Sequence, residues 1–241
     1  MGFYDRDYMR APRRSSFGQN FGPQSITTWL IIINVAVFIL DRLFARRMED
    51  MQGAYFSYPI KNIGYFSVAT AVQHFQVWRF ITFQFLHANL DHLVFNMLSL
   101  FFFGPIVESY LGSRRFIPFY LLSGIGGALM YMLLLLLRFQ IGDPYVPLVG
   151  ASAGIFGILI AAALIAPNAT VLFMMVFPMP LRTMAWLFIA YAVLQIVARG
   201  NNAGGEAAHL GGAALGYLLM QNPRILDFLN LPSRRRMRYK S

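Results

Sequence analysis

The sequence predicts an all-α, polytopic membrane protein with six transmembrane helices and an interfacial loop between the first two. Two observations predict this fold class. Apolar residues make up 57% of the 241 residues and charged residues only 12%, which is far from the composition of a soluble domain. Apolar stretches of about 20 residues, the length that crosses a hydrocarbon core of about 30 Å, recur along the chain between polar or basic loops.

Six such stretches are the candidate spans, and together they define one membrane domain at residues 26–221. They cover residues 26–44, 90–111, 115–137, 150–167, 181–197 and 205–220. The polar residues 1–25 lack the apolar core and cleavage site of a secretory signal, so we expect an N-terminal tail without a cleaved leader. Residues 222–241 are predicted to form a basic C-terminal tail.

The distribution of basic residues predicts the orientation. Six spans place both arginine-rich tails on one side, and basic flanks favour the cytoplasm, so we expect both termini there and the protein in a bacterial inner membrane. Arg42, Arg46 and Arg47 oppose this orientation, because they follow the first span on the outer side. The net charge is +10, and the basic residues lie at membrane flanks without interleaved aromatic side chains that could stack on bases. Lipid headgroups are therefore the expected partner, and nucleic acid is not.

The segment at residues 48–89 is too interrupted to span the bilayer and too aromatic to be a free loop. Aromatic side chains favour the headgroup level, so we expect it to lie in the interface. The pair Trp78-Arg79 stands within it. The fourth and sixth spans are instead dense in glycine and alanine, and Gly212 and Gly216 have the spacing that allows close helix packing. These two helices are predicted neighbours.

A few strongly polar side chains lie in the candidate spans, where each costs several kcal/mol unless it is satisfied. They are functional candidates for that reason. The set consists of His92, Asn96, Glu108, Ser152 and His209, with His87 just before the second span.

Ser152 and His209 predict nucleophilic chemistry. A serine hydroxyl needs an adjacent base at neutral pH, and histidine has a suitable pKa range. The second, fourth and sixth spans run in the same direction in this topology, so both residues lie near the outer face with His92 and Asn96, which can donate hydrogen bonds to an oxyanion. We expect no acid to complete a triad, because Glu206 is placed in the outer loop. A Ser–His dyad is the simpler interpretation.

These residues occur in ordered motifs that resemble the rhomboid family of intramembrane serine proteases. The resemblance covers residues 76–221. The motifs are Trp78-Arg79, His87 with His92 and Asn96, Gly150-Ala151-Ser152-Ala153-Gly154-Ile155-Phe156-Gly157, and Ala208-His209-Leu210-Gly211-Gly212 followed by Gly216.

The resemblance implies that Ser152 and His209 form a catalytic dyad, that His92 and Asn96 line the oxyanion site, and that Phe156 packs against the His209 ring. The motif glycines, Arg79 and Glu108 are then supporting residues. These glycines are Gly150, Gly154, Gly212 and Gly216. The implied partners are single-span transmembrane substrates cut near the outer part of the spanning helix, with no cofactor and no metal. Ala153 departs from the family, which often has glycine after the nucleophile, and its methyl group is expected to leave activity intact.

Other interpretations remain open at this stage. A serine in a glycine-rich membrane helix is most often a packing residue that bonds to its own helix. Three histidines suggest a zinc protease or a metal transporter, although no His-Glu-x-x-His helix is present and no carboxylate is expected at the depth of the histidines. A rhomboid-like pseudoprotease would bind transmembrane helices without cutting them.

Overall fold

A computed structural model describes residues 25–50, 53–139, 141–173 and 176–229. Most of this part of the chain is helical. Its long helices are α1 (Ile26–Leu43), α4 (Leu90–Leu111), α5 (Ser113–Leu136), α6 (Ser152–Ile165), α7 (Leu181–Val197) and α8 (Ala203–Gln221). Each predicted apolar stretch overlaps one of these helices, although α5 and α8 extend beyond their stretches by one or two residues. The predicted N-terminal tail, apart from Ser25, and residues 230–241 of the predicted C-terminal tail lie outside the described residues.

Three helices in the described part are long and apolar enough to cross a membrane, namely α1, α4 and α5. Two further helices, α6 and α7, are apolar but shorter. Helix α6 has 14 residues rather than the predicted 18 positions of the stretch at 150–167. At about 1.5 Å per residue it is about 21 Å long, which is less than the thickness of a hydrocarbon core.

Small residues bring α5, α6 and α8 together at the centre of the bundle. A methyl group added to Gly212 of α8 would overlap the backbone oxygen of Ala153, and one added to Gly216 would lie 2.5 Å from the Cα atom of Gly157. Backbone approach of this kind drives helix association in lipid, where apolar burial alone gives little gain. The prediction that α6 and α8 are neighbours is confirmed.

The segment between α1 and α4 contains short elements rather than one long helix. They are the β1–β2 hairpin (Arg46–Asp50 and Gly53–Ser57), α2 (Pro59–Gly64), a π-helical turn (Ala69–Gln73), α3 (Arg79–Thr82) and a 3₁₀ turn (Phe83–Phe85). The sequence interpretation predicted no hairpin here. Phe66 pairs with Leu148 through two backbone hydrogen bonds of 3.0 and 2.7 Å, so this segment supports the loop that leads into α6.

A second hairpin, β3–β4 (Thr170–Phe173 and Phe177–Pro180), connects α6 to α7 and was also not predicted. After α8, a 3₁₀ segment (Pro223–Leu229) packs against α5. Arg115 donates two hydrogen bonds of 2.7 and 2.8 Å to Asp227, and Leu226 is fully buried. The first part of the predicted C-terminal tail therefore packs against the helical bundle.

Candidate active site

Three helices begin close to one another, and their first two turns carry the polar residues that the sequence singled out. His92 lies in the first turn of α4, Ser152 is the first residue of α6, and His209 lies in the second turn of α8. Because α4 and α8 both pack against α6, these ends meet at one place. The structure thus brings together Ser152, His209, His92 and Asn96.

The Oγ atom of Ser152 lies 2.8 Å from Nε2 of His209. Ser152 begins its helix directly after a sharp turn at Gly150, whose φ of 131° lies in the region that favours glycine. The Gly150 N–H donates to the backbone oxygen of Phe83 at 3.0 Å, which holds this turn against the interfacial segment. The serine and histidine are therefore in hydrogen-bond contact, and the turn before the serine is fixed by its backbone hydrogen bond to Phe83.

His209 is held from two further directions. The ring of Phe156 stacks on the imidazole, with centroids 4.2 Å apart and planes 7° from parallel. On the far side of the imidazole from Ser152, Nδ1 of His209 lies 2.9 Å from Oε2 of Glu206. The expectation that Glu206 lies in the outer loop was wrong, because α8 begins at Ala203 and places Glu206 in its first turn.

This contact was missed because Glu206, the second residue of the predicted span at 205–220, was assigned to the loop before it. Within a helix, residues three apart face the same side, so the spacing of Glu206 and His209 carried the signal. A glycine-rich sequence such as Ala203-Gly204-Gly205 gives little indication of where a helix begins.

His92 and Asn96 stand one turn apart on α4, and both line the cavity that Ser152 also lines. The Asn89 side chain caps the helix by accepting from the His92 N–H at 2.8 Å. One N–H of the Asn96 amide donates to the His92 backbone oxygen at 2.9 Å, which leaves its second N–H for another acceptor. Nδ1 of His92 makes a long contact of 3.5 Å with the Ala88 N–H.

Gly150 lies next to the His92 ring. A methyl group added there would lie 2.8 Å from Cε1 and Nε2 of His92 and 3.5 Å from Oγ of Ser152. The absence of a side chain at Gly150 therefore lets the imidazole edge of His92 approach the serine.

The side chains of Ser152, His209, His92 and Asn96 line a cavity of 510 Å³. Phe95, Phe103 and Phe188 form much of its apolar wall. The polar members of its lining are Asn89, His92, Asn96, Ser99, Tyr131, Ser152, Asn201, Asn202 and His209. The combination of an apolar wall and a few convergent polar groups is typical of a ligand-binding site.

The other motif glycines, Gly154, Gly212 and Gly216, lie with Ala153 in helix contacts outside the cavity lining. Gly154 faces the ring of Tyr120, and Gly212 and Gly216 face α6 as described above. The Cβ atom of Ala153 faces Gly127 of α5, where an added methyl group would lie 2.6 Å away. The extra methyl group of Ala153 thus points into a helix interface, and Ala153 does not line the cavity.

Arg79 and Glu108 lie outside the cavity, where each connects parts of the backbone. The Arg79 guanidinium donates to the backbone oxygens of Tyr65 and Asn62 at 2.6 and 3.0 Å and to the Gln76 side chain at 2.6 Å. Burial lowers the pKa of Arg79 from its ordinary value. This residue organises the interfacial segment.

Glu108 accepts five hydrogen bonds, between 2.6 and 2.9 Å long, near the other end of α4. Four come from Ser25, Ile26 and Thr27 at the start of α1, and the fifth comes from the Ser113 hydroxyl at the start of α5. The carboxylate therefore joins three helices. The contact with α1 could not be read from the sequence, because it joins residues more than 80 positions apart.

His87 is buried beside the site, and its ring packs edge-to-face against His92 at 5.1 Å between centroids. Among the described residues, no group hydrogen-bonds either of its ring nitrogens. Burial, with a smaller effect from His92, lowers the pKa of His87 to about 3. The imidazole of His87 is therefore a neutral packing group at physiological pH.

The described residues include no group of three or more His, Cys, Asp or Glu side chains placed to hold a metal ion. The polar groups that line the cavity instead include a serine hydroxyl, an imidazole that is hydrogen-bonded to it, and N–H donors nearby. This arrangement can deprotonate a hydroxyl and stabilise a developing negative charge.

Fold and site together define a helical membrane protein whose cavity holds a paired serine and histidine. The family described as Rhomboid domain matches residues 74–221. This match covers more than half of the sequence. The chain belongs to the rhomboid family, which confirms the resemblance seen in its motifs.

Several curated proteins are similar to this chain. Rhomboid protease AarA of Providencia stuartii is 28% identical over 212 residues, or 83% of this chain and 73% of AarA. Rhomboid protein 1, mitochondrial, of Saccharomyces cerevisiae is 32% identical over 81% of this chain and 52% of that protein. RHOMBOID-like protein 12, mitochondrial, of Arabidopsis thaliana is 25% identical over 82% of this chain and 58% of that protein. The chain thus spans between about half and three quarters of the length of these relatives.

Proposed function

We propose that this protein is an intramembrane serine endopeptidase that cleaves transmembrane segments through a Ser152–His209 pair. The observation that carries the proposal is the 2.8 Å contact between Oγ of Ser152 and Nε2 of His209 inside a cavity of a membrane protein. Family membership and the similarity to a protein named as a rhomboid protease support it.

In the first half of the reaction, Oγ of Ser152 attacks the carbonyl carbon of the scissile peptide. Its proton passes to Nε2 of His209 as the new C–O bond forms. When the C–N bond breaks, the leaving nitrogen takes this proton, and the acyl group stays on Ser152. In the second half, a water molecule gives a proton to His209 and attacks the ester, and Ser152 recovers its hydroxyl.

The oxyanion that forms during each attack needs donors close to the nucleophile. We assign this role to the second side-chain N–H of Asn96, the Nε2–H of His92 and the backbone N–H of Ser152. The Ser152 N–H is the first of α6, so it has no acceptor within its own helix. The positive end of the helix dipole at this terminus adds to the stabilisation of the negative charge.

The proposed substrates are single-span membrane proteins, and the surrounding lipid is the second partner. The apolar cavity wall suits a segment that has left lipid. We further propose that all six long helices span the bilayer, with both termini cytoplasmic and the cavity open to the outer side. The short α6 supports this arrangement, since its outer end would begin below the membrane surface. A bacterial inner membrane is the proposed location, with AarA as a bacterial relative.

The test uses purified protein in liposomes with a single-span substrate. Ser152→Ala and His209→Ala should each abolish cleavage while their melting temperatures stay within a few degrees of the parent. A fluorophosphonate probe should label Ser152 in the parent and should not label Ser152→Ala. Cleavage by Ser152→Ala at the parent rate, or loss of cleavage on adding a chelator alone, would disprove the serine mechanism.

The alternative is a rhomboid-like pseudoprotease. It predicts that the parent protein binds the spanning helix of the substrate in a co-purification assay, that no product forms, and that the probe leaves Ser152 unlabelled. The labelling experiment therefore separates the two functions directly.

A further inference from the structure

Glu206 is a buried carboxylate that the serine–histidine pair alone does not explain. Its side chain is 8% exposed, and Oε2 lies 2.9 Å from Nδ1 of His209. Oε1 accepts from the Asn202 side chain at 3.3 Å. A carboxylate is costly to bury without strong partners, and the contact to the imidazole is the shorter of these two.

The three side chains form one continuous chain of hydrogen bonds. Ser152 Oγ contacts Nε2 of His209, and Nδ1 on the opposite side of the same ring contacts Glu206. Glu206 and His209 are three residues apart on α8, so a rigid helix holds them in register. Stacking against Phe156 holds the plane of the ring.

We propose that Glu206 is a positioning residue for His209, so that the site is a Ser–His–Glu triad rather than a dyad. This inference rests on the proposed function. An ionised carboxylate only accepts hydrogen bonds, so Glu206 holds the proton on Nδ1. The lone pair of Nε2 is then directed at the Ser152 hydroxyl, which is the tautomer that a base requires.

Glu206 also acts after proton transfer. When Nε2 takes the Ser152 proton, His209 becomes an imidazolium with hydrogen on both nitrogens. The negative charge of Glu206 stabilises this cation, while the Nδ1 proton stays on the ring. The proton on Nε2 then goes to the leaving amine nitrogen. Glu206 gains and loses no proton during the cycle.

A purely structural role is the competing explanation, because an acidic residue in the first turn stabilises a helix N-terminus. The two roles differ in what they change. A structural residue affects the folded fraction, whereas a positioning residue affects the chemical step and the tautomer of His209.

The test compares Glu206→Gln and Glu206→Asp with the parent in liposomes. The Gln amide has the shape of the carboxylate but can donate to Nδ1 and so favour the wrong tautomer. We expect Glu206→Gln to lower kcat by about 10²–10⁴-fold with KM within about threefold, as when the acid of a serine-protease triad becomes an amide. Glu206→Asp keeps the charge and should recover part of kcat.

Two further measurements complete the design. Nitrogen-15 NMR of labelled histidine should show the Nδ1–H tautomer of His209 in the parent and a shift toward Nε2–H in Glu206→Gln. The matched control is Asp41→Asn, which changes another buried carboxylate. Asp41 lies on α1 and accepts from the backbone N–H of Lys61 at 3.0 Å. This control should keep kcat per folded molecule within about threefold of the parent.

The outcomes separate this inference from the proposed function. If Ser152→Ala is inactive but Glu206→Gln keeps the parent kcat and tautomer, the triad is overturned and the protease stands. If Glu206→Gln loses activity only in proportion to its folded fraction, Glu206 is structural and the triad is again overturned. If the parent neither cleaves nor reacts with the fluorophosphonate, both proposals fail.

Discussion

Phe156 lies flat against His209, with ring centroids 4.2 Å apart and planes 7° from parallel. The two residues come from different helices, α6 and α8, so the stacking fixes the imidazole relative to the helix that carries Ser152. Aromatic contacts of this kind contribute about 0.5–1.5 kcal/mol beyond burial. The larger effect is geometric, because a small displacement of a catalytic group can cost about 10²-fold in rate.

Phe156→Leu should therefore lower kcat by at least about tenfold, because leucine fills part of the space but offers no flat face to the imidazole. The measurement is cleavage of a spanning-helix substrate in liposomes, with the melting temperature recorded alongside. Phe102→Leu is the control, since Phe102 is 40% exposed on α4 and away from the cavity. Equal kcat values for the two variants would show that stacking does not position His209.

Gly150→Ala should reduce activity by at least about 100-fold. Its φ of 131° disfavours a side chain, and the new methyl group would meet the His92 ring at 2.8 Å, close to Ser152. Gly142→Ala is a matched control, because Gly142 also has a positive φ, 148°, but its nearest neighbour is the Tyr131 hydroxyl at 3.3 Å. Both variants should lose about 1–3 kcal/mol of stability from backbone strain. Only Gly150→Ala should lose kcat per folded molecule, and a similar loss in both would contradict this.

The helices were predictable because lipid imposes a simple rule on composition. A span must be apolar over about 20 residues, so α4 was placed correctly and α5 to within two residues from hydropathy alone. The hairpins at Arg46–Ser57 and Thr170–Pro180 were not predicted. Their residues lie outside the spans, where neither the length rule nor a clear alternation of apolar residues applies.

The site was less predictable than the helices, for a reason that Glu206 illustrates. Motifs identify residue types, and parallel helix directions bring Ser152 and His209 to one end of the bundle. The contact to Glu206 depends on whether this residue belongs to α8 or to the loop before it, and residues at a helix boundary are the hardest to assign from sequence. Glu108 shows a different difficulty, because its partners on α1 are distant in sequence and carry no recognisable pattern.

Glu108→Gln should lower the free energy of unfolding by about 3 kcal/mol, measured by denaturation in mixed detergent. Each carboxylate oxygen accepts a backbone N–H, from Ile26 on one side and Thr27 on the other. Whichever way the glutamine amide turns, its NH₂ group must therefore face one of these two backbone N–H groups, and that N–H loses its acceptor. Glu49→Gln is the control, since its side chain is 71% exposed and the change should cost less than about 0.5 kcal/mol. Equal losses would contradict the proposed role of Glu108 in joining α1, α4 and α5.

Burial of His87 makes the stability of the protein depend on pH. Its pKa is lowered from the ordinary value of 6.5 to about 3, chiefly by burial and secondarily by His92. Between these two pH values the unfolded chain binds the proton and the folded chain does not, so protonation favours unfolding. The contribution of His87 to stability is fully present above pH 6.5 and is lost as the pH falls toward 3.

His87→Phe should remove this dependence, because phenylalanine fills the same space, keeps an aromatic contact with His92 and binds no proton. One pKa unit corresponds to about 1.4 kcal/mol. The unfolding free energy of the variant minus that of the parent should therefore be about 2 kcal/mol larger at pH 5 than at pH 7.5. Unfolding free energies of both proteins at pH 7.5, 6, 5 and 4 provide the measurement. The titration of other groups affects both proteins alike and cancels in the difference. A difference that stays constant over this range would show that His87 is protonated in the folded protein as readily as in the unfolded chain.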